Sequence, residues 1–162
     1  MNKKTLEYIF KQLHREAFLW ARQCCSYNDE QAKEVMQMVY LKVLEEKAIY
    51  NEKSNIKTWL FAVIRNTSFD YIKTKTIHIS LEDVVEIGNE ILIEEENDYE
   101  QVLKKLPERQ HQVLLLVFYH DMTLEEIAEV LKISIGSVRT HYDRGKKKIK
   151  ELILKERIYE TR

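Results

Sequence analysis

Residues Leu106 to Leu152 read LPERQHQVLLLVFYHDMTLEEIAEVLKISIGSVRTHYDRGKKKIKEL. Thr123 stands three residues before Glu126, the spacing of a capping box, and Leu124, Ile127, Ala128 and Leu131 supply the apolar face of a short helix. Lys132 and Ile133 make a tight turn, and Ser134 is the cap of the next helix. There Ile135, Val138, Tyr142, Gly145, Ile149 and Leu152 recur at alternating spacings of three and four, which predicts one buried stripe. The remaining surface carries Ser137, Arg139, Thr140, His141, Arg144, Lys146, Lys147 and Lys148, donors suited to phosphates and base edges. A short capped helix, a tight turn and a basic second helix form a helix-turn-helix, a unit that lays its second helix in a major groove. Gly136 costs such a helix about 1 kcal/mol relative to Ala. Its place in the first turn points to close backbone approach, as of a DNA phosphate to a helix N-terminus.

The charge is unevenly spread. The 162 residues carry 26 Lys and Arg against 27 Asp and Glu, so the total is near neutral. Yet basic residues dominate from Arg139 to Arg157, while Lys and Arg are absent between Lys75 and Lys104, an interval crowded with acids such as Glu82, Asp83 and Glu94 to Glu96. A neutral total with one basic end predicts weak DNA binding by the chain alone and affinity borrowed from a partner. The first residues, MNKKTLEYIFKQLHRE, lack the unbroken apolar core of a signal peptide. The longest apolar run, Val113 to Tyr119, is too short to span a bilayer, so no membrane insertion is expected. Cys24 and Cys25 are adjacent and suggest no disulfide framework, and the expected location is cytoplasmic.

Three segments nearer the start have helical periodicity. Leu6, Ile9, Phe10, Leu13, Ala17, Trp20, Ala21 and Cys24 share one face. Asn28 or Asp29 caps a second helix with Ala32, Val35, Met36, Val39 and Val43 along its stripe. Ser54 or Asn55 caps a third, lined by Ile56, Trp59, Leu60, Val63, Ile64, Thr67 and Tyr71. The fold expected is all-α: a helical bundle over residues 1–75, an acidic linker over 76–98 in which Ile77 to Leu81 are compatible with an extended stretch, and a second helical domain over 99–162.

The whole chain resembles a bacterial extracytoplasmic-function (ECF) sigma factor, the promoter-selecting subunit of RNA polymerase. AKEVMQMVYLKVLEE (Ala32 to Glu46) with NIKTWLFAVIRNTSFDYIKTK (Asn55 to Lys75) is similar to sigma region 2, and the stretch from Leu106 to Leu152 is similar to sigma region 4. A helix-turn-helix alone is shared with response regulators. The two blocks in this order, joined by a short acidic linker, are much more specific.

The resemblance implies roles residue by residue. The helix from Ala32 to Glu46 matches the segment that docks on polymerase core, with Glu34, Val35, Gln37 and Tyr40 at contact positions. Met38 stands where the family usually has an acid. The loop from Tyr50 to Lys57, including Asn55, matches the loop that receives a flipped base of the −10 element, and Trp59, Arg65, Asn66, Asp70, Lys73 and Lys75 match the helix that reads that element and separates the strands. Opening costs about a few kcal/mol per unstacked base, which a pocket and an aromatic platform offset. Trp59, Phe61, Phe69 and Tyr71 are candidate aromatics; Trp59 also fits a core position, and Asn66 could equally be satisfied inside the bundle.

On the −35 side, Ser134, Gly136, Ser137, Arg139, Thr140 and Arg144 fall on the reading helix, with Arg139 the first candidate for a base contact and Lys146, Lys147 and Lys148 for phosphates. Lys132 occupies a turn position where the family more often has Gly. Glu94 to Glu96 either thread the RNA path of the core or form a solvated tether. The partners implied are RNA polymerase core, promoter DNA and an anti-sigma factor, with no cofactor.

Two rival classes make different predictions. An enzyme needs a constellation that is missing here: His14, His78, His111, His120 and His141 lack metal-ligand spacing, no Gly-rich phosphate loop occurs, and no catalytic or metal-binding residues are expected. A stand-alone regulator would bind duplex DNA by itself, and an inhibitor would bind polymerase without directing initiation.

Overall fold

The computed structural model describes residues 2–81 and 98–160, and these are helical, with no strand among them. The chain divides into two compact units, residues 1–86 and 87–162. In the first, α1 (Lys3–Cys24), α2 (Asp29–Leu44) and α3 (Ile56–Leu81) pack pairwise against one another. Each begins at an asparagine. Asn2 accepts from Lys4 N–H at 2.7 Å, Asn28 from Gln31 N–H at 3.0 Å and Asn55 from Lys57 N–H at 2.9 Å, satisfying donors that a helix start leaves orphaned. Asn28 is therefore the cap of α2, and the neighbouring Asp29 instead pairs with Arg22 Nε at 2.7 Å. Two left-handed residues, Ser26 (φ 53°) and Tyr27 (φ 64°), turn the chain from α1 into α2.

Alternating three and four spacings bury Ala17, Trp20 and Ala21 of α1 against Ala32, Val35, Met36 and Val39 of α2 and Leu60, Phe61 and Ile64 of α3. Trp20 Nε1 donates to the Phe61 carbonyl at 3.1 Å, and the two rings stack at 5.8 Å with planes 4° apart. Burial of side chains this large contributes about 1.5–3 kcal/mol each. Phe61 is thus a core residue, not part of a stacking platform. Cys25, not Cys24, is the buried cysteine, and burial pushes its thiol pKa up.

Ile77 to Leu81 continue α3 as helix instead of running extended. Propagating an existing helix costs less than nucleating new structure, so local β-branched residues do not end it. Thr76 Oγ1 also bonds back to the Ile72 carbonyl at 2.8 Å, which satisfies its hydroxyl within the helix. The acidic residues 82–97, with Glu94 to Glu96, lie outside the described residues.

The second unit contains α4 (Asp98–Lys104), α5 (Glu108–Leu114), a π-helical turn Leu115–Tyr119, α6 (Leu124–Leu131) and α7 (Ile135–Glu160). Val113, Leu114, Leu115 and Leu116 are all buried. Four consecutive residues cannot share one face of an α-helix; the wider π turn and its neighbours allow it, because α5 packs on α7 while the π turn meets α6. Gly145 admits the close approach of α5: a Cβ there would stand 3.0 Å from Leu114 Cδ1. Among the described residues, no helix is long and apolar enough to cross a membrane.

Candidate nucleic-acid interface

Capping sets the entry angle of both helices of the helix-turn-helix. Thr123 Oγ1 accepts from Glu126 N–H at 3.2 Å and donates to Glu126 Oε1 at 3.1 Å. Lys132 closes α6 in the left-handed conformation (φ 53°, ψ 45°), with its N–H on the Ala128 carbonyl. A side chain there costs about 1–2 kcal/mol, which is the strain expected of a lysine at a glycine position. Ser134 Oγ accepts from Ser137 N–H at 3.1 Å and lies 2.9 Å from Ser137 Oγ, so α7 starts at a cap that engages both serines.

From that cap, Val138 and Gly145 turn inward while Gly136, Ser137, Arg139, Thr140, Arg144, Lys146, Lys147 and Lys148 are exposed. By helical spacing Ser137, Thr140, Arg144 and Lys147 line one solvent face, and Arg139 and Lys146 lie on its flank. Thr140 Oγ1 donates to the Gly136 carbonyl at 3.0 Å, and Lys146 Nζ sits 4.1 Å from the Tyr142 ring centroid, a cation–π contact. A Cβ on Gly136 would meet only Ser134 Oγ, at 4.0 Å, so packing within the chain does not demand this glycine.

In the first unit the residues implied for the −10 element separate into three groups. Tyr50 and Trp59 are half-buried with ring centroids 5.3 Å apart, and Tyr50 Oη donates to the Ser54 carbonyl at 2.5 Å. The Asn55 side chain is the cap of α3, and Lys57 Nζ pairs with Glu16 at 2.7 Å, so both have partners within the first unit, at its surface. Asn66, Asp70 and Lys73 share one face of α3, Asn66 half-buried and the other two exposed; Arg65 is half-buried. Lys75 comes round the helix, its Nζ 5.9 Å from the Tyr71 ring centroid.

On α2, Glu34 and Gln37 are exposed, but Val35 has no solvent exposure. Val35 is on the bundle stripe, about a hundred degrees round the helix from Glu34, and is core rather than a contact residue. Tyr40 faces α1, its hydroxyl 2.7 Å from His14 Nδ1. The exposed stripe continues instead through Leu41 and Leu44, each 53% exposed, with Met38 half-buried at its edge. Residues 34, 37, 41 and 44 repeat at three, four and three, a second stripe on a helix whose first stripe is already buried; that spacing was the available signal. Phe69, a candidate aromatic outside the set of reading residues, is 62% exposed on α3.

Residues 9–77 match the family description Sigma-70 region 2, and residues 96–149 match Sigma-70, region 4. The chain belongs to the ECF RNA polymerase sigma factors. Relatives of this sigma factor include RNA polymerase sigma factor SigZ of Bacillus subtilis, 27% identical over 74% of this chain and 71% of the relative. RNA polymerase sigma factor SigV of the same organism is 26% identical over 90% and 87%. Among solved structures, the fold is similar to that of sigma factor RpoE in complex with anti-sigma factor NepR from Bartonella quintana, with a TM-score of 0.74, 18% identity, and 93% of this chain and 97% of that one covered. As a sigma factor, the chain binds RNA polymerase core and promoter DNA and directs promoter-specific initiation.

Proposed function

We propose that the two units divide the promoter between them, over the segments 1–75 and 99–162. α7 reads the −35 element, with Arg139, Thr140 and Arg144 toward bases and Ser134, Gly136, Ser137, Lys146, Lys147 and Lys148 toward phosphates. α3 and the loop before it read the −10 element through Trp59, Arg65, Asn66, Asp70, Lys73 and Lys75, beside Tyr50, Asn55 and Lys57. The exposed stripe of α2, Glu34 and Gln37 extended by Leu41 and Leu44, docks on polymerase core. The chain is non-catalytic, because RNA synthesis belongs to the core, and it works in the cytoplasm, where the core is. An anti-sigma factor is the expected inhibitor: NepR, bound to the similar RpoE, is an anti-sigma factor.

The observation that carries the assignment of α7 is its polar surface. One face of the helix buries Val138 and Gly145, and the capped N-terminus and every basic residue from Arg139 to Lys150 stand in solvent. Binding to promoter fragments by the holoenzyme tests it. Arg139→Ala is expected to lower discrimination at a single −35 base pair by about 1–3 kcal/mol. Lys147→Ala is expected to weaken all promoters alike and lower the salt-dependence slope by about 0.9. Equal effects of Arg139→Ala on every −35 sequence would remove the base-reading role.

A further inference from the structure

Tyr71 of α3 donates its hydroxyl to the Glu34 carboxylate of α2. Glu34 is the first residue of the exposed stripe that continues through Gln37, Leu41 and Leu44. Tyr71 is half-buried between Asp70 and Lys73 in sequence, both exposed on α3, and one turn before Lys75, whose ammonium stands over its ring. One hydrogen bond therefore joins the edge of the docking stripe to the turns of α3 that carry its charged residues. The carboxylate as acceptor, followed by partial burial, holds the phenol protonated and pushes its pKa up to about 12, so at neutral pH Tyr71 remains the donor. Deeper in the same helix pair, Lys42 Nζ donates to Thr67 Oγ1 at 3.0 Å.

We infer that Tyr71, given the roles assigned above to α2 and α3, is a positioning residue that locks the polymerase-docking edge of α2 to the DNA-facing turns of α3 during strand opening. Opening draws unstacking energy from the protein for each base extruded. That energy must be transmitted between the docked helix and the reading helix, and any slip at their contact wastes it. A hydrogen bond to a carboxylate is directional and stronger than a neutral one. It strengthens further when a docked partner excludes water from Glu34, so its effect belongs to the holoenzyme more than to the free chain. Tyr71→Phe keeps the ring and removes only the donor.

The experiment compares holoenzymes carrying the natural chain, Tyr71→Phe, Glu34→Ala, Glu34→Gln and the Tyr71→Phe/Glu34→Ala pair. Core affinity is measured by titration, and opening at saturating core by permanganate reactivity of unpaired thymines. Tyr71→Phe is expected to unfold like the natural chain and bind core within about twofold, yet open promoters roughly 5- to 10-fold more slowly. At saturating core the pair should open no more slowly than the slower single variant, and Glu34→Gln, which keeps an acceptor oxygen, should recover part of the rate lost in Glu34→Ala. Opening by Tyr71→Phe at the natural rate overturns the coupling and leaves the roles of α2 and α3 intact, as does independent addition of the two penalties. Failure of the natural chain to open any promoter overturns both.

Discussion

A methyl group on Gly145 would press on Leu114 Cδ1 at 3.0 Å, whereas one on Gly136 would meet only Ser134 Oγ at 4.0 Å. The first glycine is required by packing; the second costs helix propensity and returns nothing inside the chain. Gly136 lies two residues after the Ser134 cap, where an approaching phosphate would meet backbone N–H groups. Gly136→Ala is therefore expected to stabilise the free chain by up to about 1 kcal/mol while weakening promoter binding by the holoenzyme. Thermal unfolding and promoter titration check the two signs separately; unchanged promoter affinity would contradict the close-approach role. Gly136 could be picked out from sequence because its cost was visible without a compensating partner. Val35 could not be told from a contact residue by resemblance alone, although its place in the stripe with Ala32, Met36 and Val39 marked it as core.

At the scale of the element, legibility follows periodicity. The caps at Thr123 and Ser134 and the stripes of α1, α2 and α7 repeat at helical spacing, so one dimension suffices to read them. Where apolar residues run consecutively the period vanishes, and the π-helical turn after α5 has no signature in the run Val113 to Val117. The α3 stripe read from spacing takes in Trp59 and leaves out Phe61, whereas Phe61 is the fully buried ring and Trp59 is half-buried; stacking on Trp20 from another helix decides it. The Tyr71 to Glu34 bond was hidden for the same reason, since it joins helices distant in sequence.

The helix α5 also carries a pH response. Burial, with the nearby Lys104 charge adding to it, lowers the His111 pKa from 6.5 to about 4. Its folded form is neutral, so between those values the unfolded chain binds the extra proton. Stability from this group is complete above pH 6.5 and is lost progressively as pH falls towards 4. Solvent around the half-buried ring limits the loss to about 1–2 kcal/mol. Hydrogen exchange of α5 and α7 amides in the full chain should accelerate across that window after correction for intrinsic rates, and His111→Gln should flatten the response. The same pH dependence in His111→Gln would assign it elsewhere.

At the scale of the whole molecule, near-neutral total charge and a basic α7 predict a DNA affinity that depends on a partner. Each unit presents exposed charged residues on a helix, Asp70 and Lys73 on α3 and Arg139 to Lys148 on α7, and on the reading proposed above polymerase core brings both to one promoter. That organisation is what separates a sigma factor from a regulator that binds duplex DNA alone. The most direct measurement is therefore the mapping of transcript starts after adding the purified chain to sigma-free polymerase core with fragmented genomic DNA from the same bacterium. Starts that require the chain and share a two-part upstream motif are the predicted result. Active core and folded chain that yield no specific starts, with tight duplex binding in the absence of core, would contradict the account.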